Sequence, residues 1–126
     1  MSAENVEAGL RAFCEAWSGG AISPAMRMAS MLRHKSINCV VRDGDAGEAS
    51  FVLTLTPDLM DLRAGRDEAA HATLTMSEAD WLGVLSGRFS VWSVQLAGRQ
   101  YSPLHEAALT RQVGFMLQSF ALKKRG

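Results

Sequence analysis

The chain carries no surplus charge of either sign. Its 13 Lys and Arg balance 13 Asp and Glu over 126 residues. Nucleic-acid binding draws on cations that displace phosphate counterions, so no nucleic-acid partner is expected. Long apolar runs are also missing. The longest stretches free of Asp, Glu, Lys and Arg are 11 residues, at 16–26 and 112–122, whereas a spanning helix needs about 20 apolar residues. Cysteine is scarce: Cys14 and Cys39 allow one pairing and have no metal-ligand spacing. Two reduced, buried thiols in a cytoplasmic protein are the expectation. The start, MSAENVEAGL, has acids where a signal peptide has bases, so no secretory signal is expected. No internal repeat, low-complexity run or long linker is present, and residues 1–126 read as a single domain.

The motifs of catalysis are absent too. There is no G-x-S-x-G elbow, phosphate loop or dinucleotide fingerprint. His105-Glu106 starts like H-E-x-x-H, but position 109 is Leu, so no zinc site is expected. His34, His71 and His105 are scattered, and Cys39 has no cationic neighbour in sequence to activate it. An enzyme would have to assemble its polar groups from dispersed positions. No catalytic residue, metal or cofactor is expected.

What the chain does have is soft apolar material: 48% hydrophobic residues, seven Met and nine aromatics. Its placement is periodic. Over residues 3–17, Val6, Leu10, Phe13 and Trp17 form one helical stripe, stopped by Ser18-Gly19-Gly20. Ser23-Pro24 restarts a helix, with Met28, Met31 and Leu32 on one face. From Ser36 the period becomes two. Ile37, Cys39 and Val41 alternate with Asn38, Val40 and Arg42. A turn at 43–47 and a second apolar run from Phe51 to Leu55 complete a hairpin. Residues 59–64 are a candidate third strand, and Ala72, Leu74 and Met76 alternate in another. Thr54, Thr73 and Thr75 suit a wetter face of the sheet. Ser77 caps a helix with Trp81, Val84 and Leu85 on its apolar face and Gly87 at its end. A short helix over 91–97, an edge strand at 99–101 and a helix over 104–122 finish the chain.

The last helix carries two stripes. Leu109, Val113, Met116, Leu117 and Phe120 lie on one side, and Leu104, Ala108, Phe115 and Leu122 nearly opposite. A surface helix shows one stripe. Two imply a helix held between the sheet and a further helix, a twin subunit or an apolar ligand. Lys123-Lys124-Arg125 complements a helix C-terminus and offers weak contact to an anionic membrane surface. Trp17, Trp81 and Trp92 fit either core packing or the wall of an apolar pocket. Arg99, at the head of the edge strand, either stays solvated or meets a ligand carboxylate or phosphate.

The ordered set from His71 to Gly98 resembles the sterol carrier protein type-two family. Thr73-Leu74-Thr75-Met76-Ser77 matches that family's strand and cap, Glu78, Asp80 and Trp81 its helix start, Leu85-Ser86-Gly87-Arg88 its helix end, and Gly98-Arg99 the start of its last strand. The resemblance covers 36–101 well and the whole chain loosely. One departure stands out. The family continues into its last strand and helix with a Gly-Asp, and here Gln100-Tyr101-Ser102-Pro103 follows instead.

The resemblance implies an α+β fold: a mostly antiparallel twisted sheet of about five strands, covered on one face by about five helices, enclosing an apolar cavity. It implies non-catalytic binding or carriage of an apolar lipid (sterol, fatty acyl, phospholipid or isoprenoid-like) without a cofactor. By position the cavity wall is Met76, Trp81, Leu85, Trp92, Leu96, Met116 and Phe120, with Arg99 the head-group candidate. The alternative is a ligand-free interaction module that dimerises or binds a partner through the C-terminal helix, with Phe115 on the homodimer face.

Overall fold

The computed structural model describes residues 3–18, 35–43, 47–55, 60–88 and 90–96, together with positions 110, 113–114, 116–118 and 120–121, all eight of them helical. Helix α1 is Ala3–Ser18. Its stripe is as the spacing predicts: Val6, Leu10, Phe13 and Trp17 are each 0% exposed. Burying a large apolar side chain contributes about 1.5–3 kcal/mol, so this face anchors the helix firmly. The outward Glu7 and Arg11 pair at 2.8 Å, an exposed i,i+4 contact that adds only a few tenths of a kcal/mol.

Four strands follow: β1 (Lys35–Asp43), β2 (Gly47–Leu55), β3 (Met60–Ala64) and β4 (Ala72–Ser77). Two helices come next, α2 (Glu78–Leu85) and α3 (Val91–Leu96). The order in the sheet is β3-β2-β1-β4. β1 and β2 form the expected hairpin, with Cys39 opposite Phe51, and β3 continues it antiparallel, with Leu62 opposite Leu53. β4 lies on the other side of β1 and runs parallel to it, with Leu74 beside Cys39. The sheet is therefore mixed: two of its three pairings are antiparallel, in line with the mostly antiparallel expectation, and the β1–β4 pairing is parallel. The strand expected at 99–101 and the helix expected from Ser23 lie outside the described residues.

The parallel pairing has a short physical explanation. Ala64 is level with Cys39 through Phe51, and Ala72 is level with Ile37. The chain between them travels across the sheet and hardly along it. Three strand spacings of about 4.8 Å make about 14 Å, within the reach of about 23 Å for seven residues. No crossover helix is needed. Gly65 starts the crossing at φ +117 and donates its N–H to Ser50 O at 3.0 Å. Only glycine takes such a φ without cost.

Asn38 holds the crossing in place. Its Nδ2 donates to Asp67 O at 2.8 Å, and its Oδ1 accepts from Asp67 N at 2.9 Å. The row Arg63–Val52–Asn38–Thr73 lies side by side on this face. Arg63 pairs with Asp67 at 3.9 Å, and Asn38 Nδ2 also reaches Thr73 Oγ1 at 3.3 Å. The second face is thus dry in its middle, where Asn38, Val40 and Val52 are buried. Thr54, Thr73 and Thr75 are half-buried around it, in keeping with the wetter face read from the sequence.

The other face carries the core. Ile37, Cys39 and Val41 of β1, Phe51 and Leu53 of β2, Leu62 of β3, and Ala72, Leu74 and Met76 of β4 all point to it. The apolar stripes of α1 and α2, with Val91, Val94, Val113, Met116 and Leu117, pack onto that surface. The described part of the last helix buries more than its apolar stripe, since Thr110, Gly114 and Ala121 are buried too. Its opposite stripe (Leu104, Ala108, Phe115 and Leu122) lies outside the described residues.

Candidate functional site

The junction between β4 and α2 sets the position of three of the expected wall residues. Met76 is the last core-facing residue of β4, beside Val41 of β1, and is 1% exposed. Ser77 then turns the chain. Its side chain accepts the Asp80 N–H at 3.1 Å, the cap that the sequence predicts with Asp in the third position. This cap aims Trp81 back over the sheet. The Trp81 ring is 0% exposed, and its Nε1–H donates to Val40 O at 2.9 Å. The ring's polar atom is thereby used inside the protein, and the rest of its surface is apolar.

Helix α2 ends as its glycine predicts. Gly87 has φ +79, its N–H reaches Val84 O at 3.1 Å, and the Arg88 N–H reaches Gly83 O at 2.9 Å. This Schellman arrangement stops the helix at Leu85, with Ser86 as its C-cap. Leu85 packs partly buried against the cluster and meets α1. A Cβ built on Gly9 would lie 2.8 Å from Leu85 Cδ1, so the tip of Leu85 lies directly on the glycine and the two helices approach closely there.

The last helix contributes Met116, 1% exposed, and Phe120, partly buried. Phe120 meets Phe13 of α1 edge-on with ring centroids 5.5 Å apart, and Phe13 in turn lies 6.3 Å from Trp17. Gly114 lets this helix approach α3, since a Cβ there would fall 2.6 Å from Val91 Cβ.

Five of the expected wall residues, Met76, Trp81, Leu85, Met116 and Phe120, therefore meet in one apolar cluster on one face of the sheet. Trp92 and Leu96 lie in α3, whose backbone is described while their side chains are not, and Arg99 lies outside the described residues. Reading the sequence missed Phe13 and Gly9 as partners of this group. Both fall on or beside the buried stripe of α1, but nothing in a local pattern shows which helix that stripe will meet.

Among the described residues, the polar groups near the cluster do not form a catalytic set. Burial pushes the Cys14 thiol up to about 12, with Asp61 adding to the rise and Arg11 opposing it. Burial likewise pushes Cys39 up to about 12, with Cys14 adding. Both are free thiols, and at neutral pH neither supplies a thiolate nucleophile. His71 is exposed, and its Nδ1 accepts the Ser36 N–H at 3.2 Å. Its own N–H donates to Ser36 O at 2.9 Å, so it pins the head of β4 to β1. Among the described residues no three His, Cys, Asp or Glu come together as a metal site, and no helix is long and apolar enough to cross a membrane.

No family profile and no curated protein matches the chain. Solved structures do. A crystal structure of sterol carrier protein 2 is 23% identical, with a TM-score of 0.66, covering 90% of this chain and 94% of that one. The solution structure of palmitated SCP2L2 from Aedes aegypti is 14% identical, with a TM-score of 0.67, covering 88% of this chain and 92% of that one. The ubiquinone synthesis protein UbiJ-SCP2 is 14% identical, with a TM-score of 0.69, covering 94% of this chain and 96% of that one. These likenesses span nearly the whole of each chain, and they show that the protein has the fold of sterol carrier protein 2.

Proposed function

We propose that this protein binds or carries an apolar lipid in a tunnel between the sheet and its helices, and does no chemistry on it. The ligand class is a sterol, fatty acyl chain, phospholipid or isoprenoid-like molecule. One observation carries the reading: Met76, Trp81, Leu85, Met116 and Phe120 converge in a single apolar cluster, within a fold that a palmitated protein shares. Thioether and aromatic walls adapt to chains of different shape. The Trp81 N–H is engaged by Val40 O, so this wall asks for no polar partner from the ligand. Desolvation of the chain would supply the affinity, at about 25 cal/mol per Å² of apolar area.

In this reading Trp92 and Leu96 complete the wall, a fifth strand at 99–101 closes the sheet, and Arg99 meets a polar head group at the mouth. The protein works in the cytoplasm without a cofactor. Native mass spectrometry of the purified protein and titration with a fluorescent fatty acid test the proposal together. Co-purified lipid or saturable uptake is expected, and the absence of both refutes it. A tight dimer on sedimentation, dispersed by Phe115→Glu and taking up no lipid, would instead mark the chain as an interaction module.

A further inference from the structure

We propose that the outer edge of β3 is complementary to a second copy of itself, and that Arg11 of α1 bars the pairing. β3 ends the sheet, with β2 on one side and, among the described residues, no strand on the other. The register tells which of its backbone groups face outward. Gly65 donates its N–H to Ser50 O, which makes Gly65 and Ser50 a hydrogen-bonded pair. By alternation Arg63–Val52 and Asp61–Thr54 are hydrogen-bonded pairs too. The N–H and C=O groups of Met60, Leu62 and Ala64 therefore point away from β2, along the edge. Bare edges of this kind recruit further strands.

The edge matches itself. Turned about a twofold axis at Leu62, a second copy running antiparallel sets Leu62 against the partner's Leu62 and Met60 against the partner's Ala64, so the outward groups meet. The same register sets Asp61 against the partner's Arg63. Both side chains are exposed, and opposite charges directly across a strand pair favour the pairing. Arg11 occupies the centre of this edge. Its Nε and Nη2 both donate to Glu7 Oε2, at 3.2 and 2.8 Å. That fixes the guanidinium fork and leaves Nη1 to donate to Leu62 O at 3.5 Å. This carbonyl is the one on which the twofold pairing turns. The Glu7–Arg11 pair adds little to stability, and its use is to hold a cation across the edge.

Sedimentation velocity over a concentration series tests this on the full chain. Arg11→Ala and Arg11→Met, which keeps the apolar stem, each remove the bar. The Arg11 side chain is 51% exposed, so the core is left intact. Both variants are expected to self-associate about tenfold or more tightly than the wild type, the factor that one hydrogen bond from a charged group is worth. In the assembly the Ala64 amide should become protected from hydrogen exchange. Adding Asp61→Arg sets two arginines against each other in the twofold register and should return the chain to wild-type sedimentation. Wild-type sedimentation of both Arg11 variants overturns the proposal. So does an association that leaves the Ala64 amide exchanging at its wild-type rate or that survives Asp61→Arg, because another surface then forms it.

Discussion

Asn38 and Asp67 are joined at both ends of one side-chain amide, with the Asn38 Nδ2 donating at 2.8 Å and the Oδ1 accepting at 2.9 Å. The partner groups are the backbone N–H and C=O of Asp67, so the side chain stands in for a neighbouring strand. Removing it leaves both without their partner. Asn38→Ala is expected to lower stability by about 2–4 kcal/mol. Asn38→Asp keeps the acceptor but sets an oxygen against the Asp67 carbonyl, and it should also destabilise. Urea unfolding should show a lower midpoint at an unchanged slope.

The Trp81 indole is tied to the central strand by its bond to Val40 O at 2.9 Å. Trp81→Phe loses that buried bond and part of the ring. A loss of about 1–3 kcal/mol is expected, read as a lower melting temperature by circular dichroism.

The two glycine contacts should respond differently to the same change. At Gly114 the new methyl meets Val91 Cβ at 2.6 Å, an atom fixed to the backbone that cannot turn aside. Gly114→Ala should destabilise despite the gain of about 1 kcal/mol in helix propensity, because overpacking costs about 1–3 kcal/mol. At Gly9 the new methyl meets the tip of Leu85 at 2.8 Å, and a side-chain tip can move. Gly9→Ala should be close to neutral. Denaturation midpoints of the two variants, measured side by side, check the contrast.

Cys14 and Cys39 are held by burial at about 12, above the ordinary thiol value of 9.0. The folded chain therefore keeps protons that the unfolded chain releases. Their contribution to stability is complete below pH 9 and is lost as the pH climbs toward 12. Stability measured across that window should fall less steeply in Cys39→Ala than in the wild type. Iodoacetamide at pH 8 should label neither thiol until the chain is unfolded.

Much of the framework is legible in local spacing. The stripe from Val6 to Trp17, the alternation of Ile37, Cys39 and Val41, and the Ser77 cap each concern residues a few positions apart, and each has its expected structure. The direction of β4 was not legible. Period-two alternation tells which face a residue takes and says nothing about which strand lies beside it. Asn38 did leave a trace, as the polar residue of an otherwise apolar strand core, but its partner is 29 residues away. Met76, Trp81, Leu85, Met116 and Phe120 were legible as inward-facing. Their meeting with Gly9 and Phe13 was not, because it depends on how helices far apart in sequence cross.

The arrangement of the sheet also bears on the order in which the chain assembles. β1 ends at Asp43 and β2 begins at Gly47, and these two residues pair with each other, so little chain entropy opposes that first pairing. β4 must find β1 from much further along, Ile37 meeting Ala72. Such distant contacts slow folding. The hairpin can serve as the template, with the last strand zipping on once Asp67 has come to rest on Asn38. That amide would then act as a checkpoint in assembly as well as a brace in the finished fold.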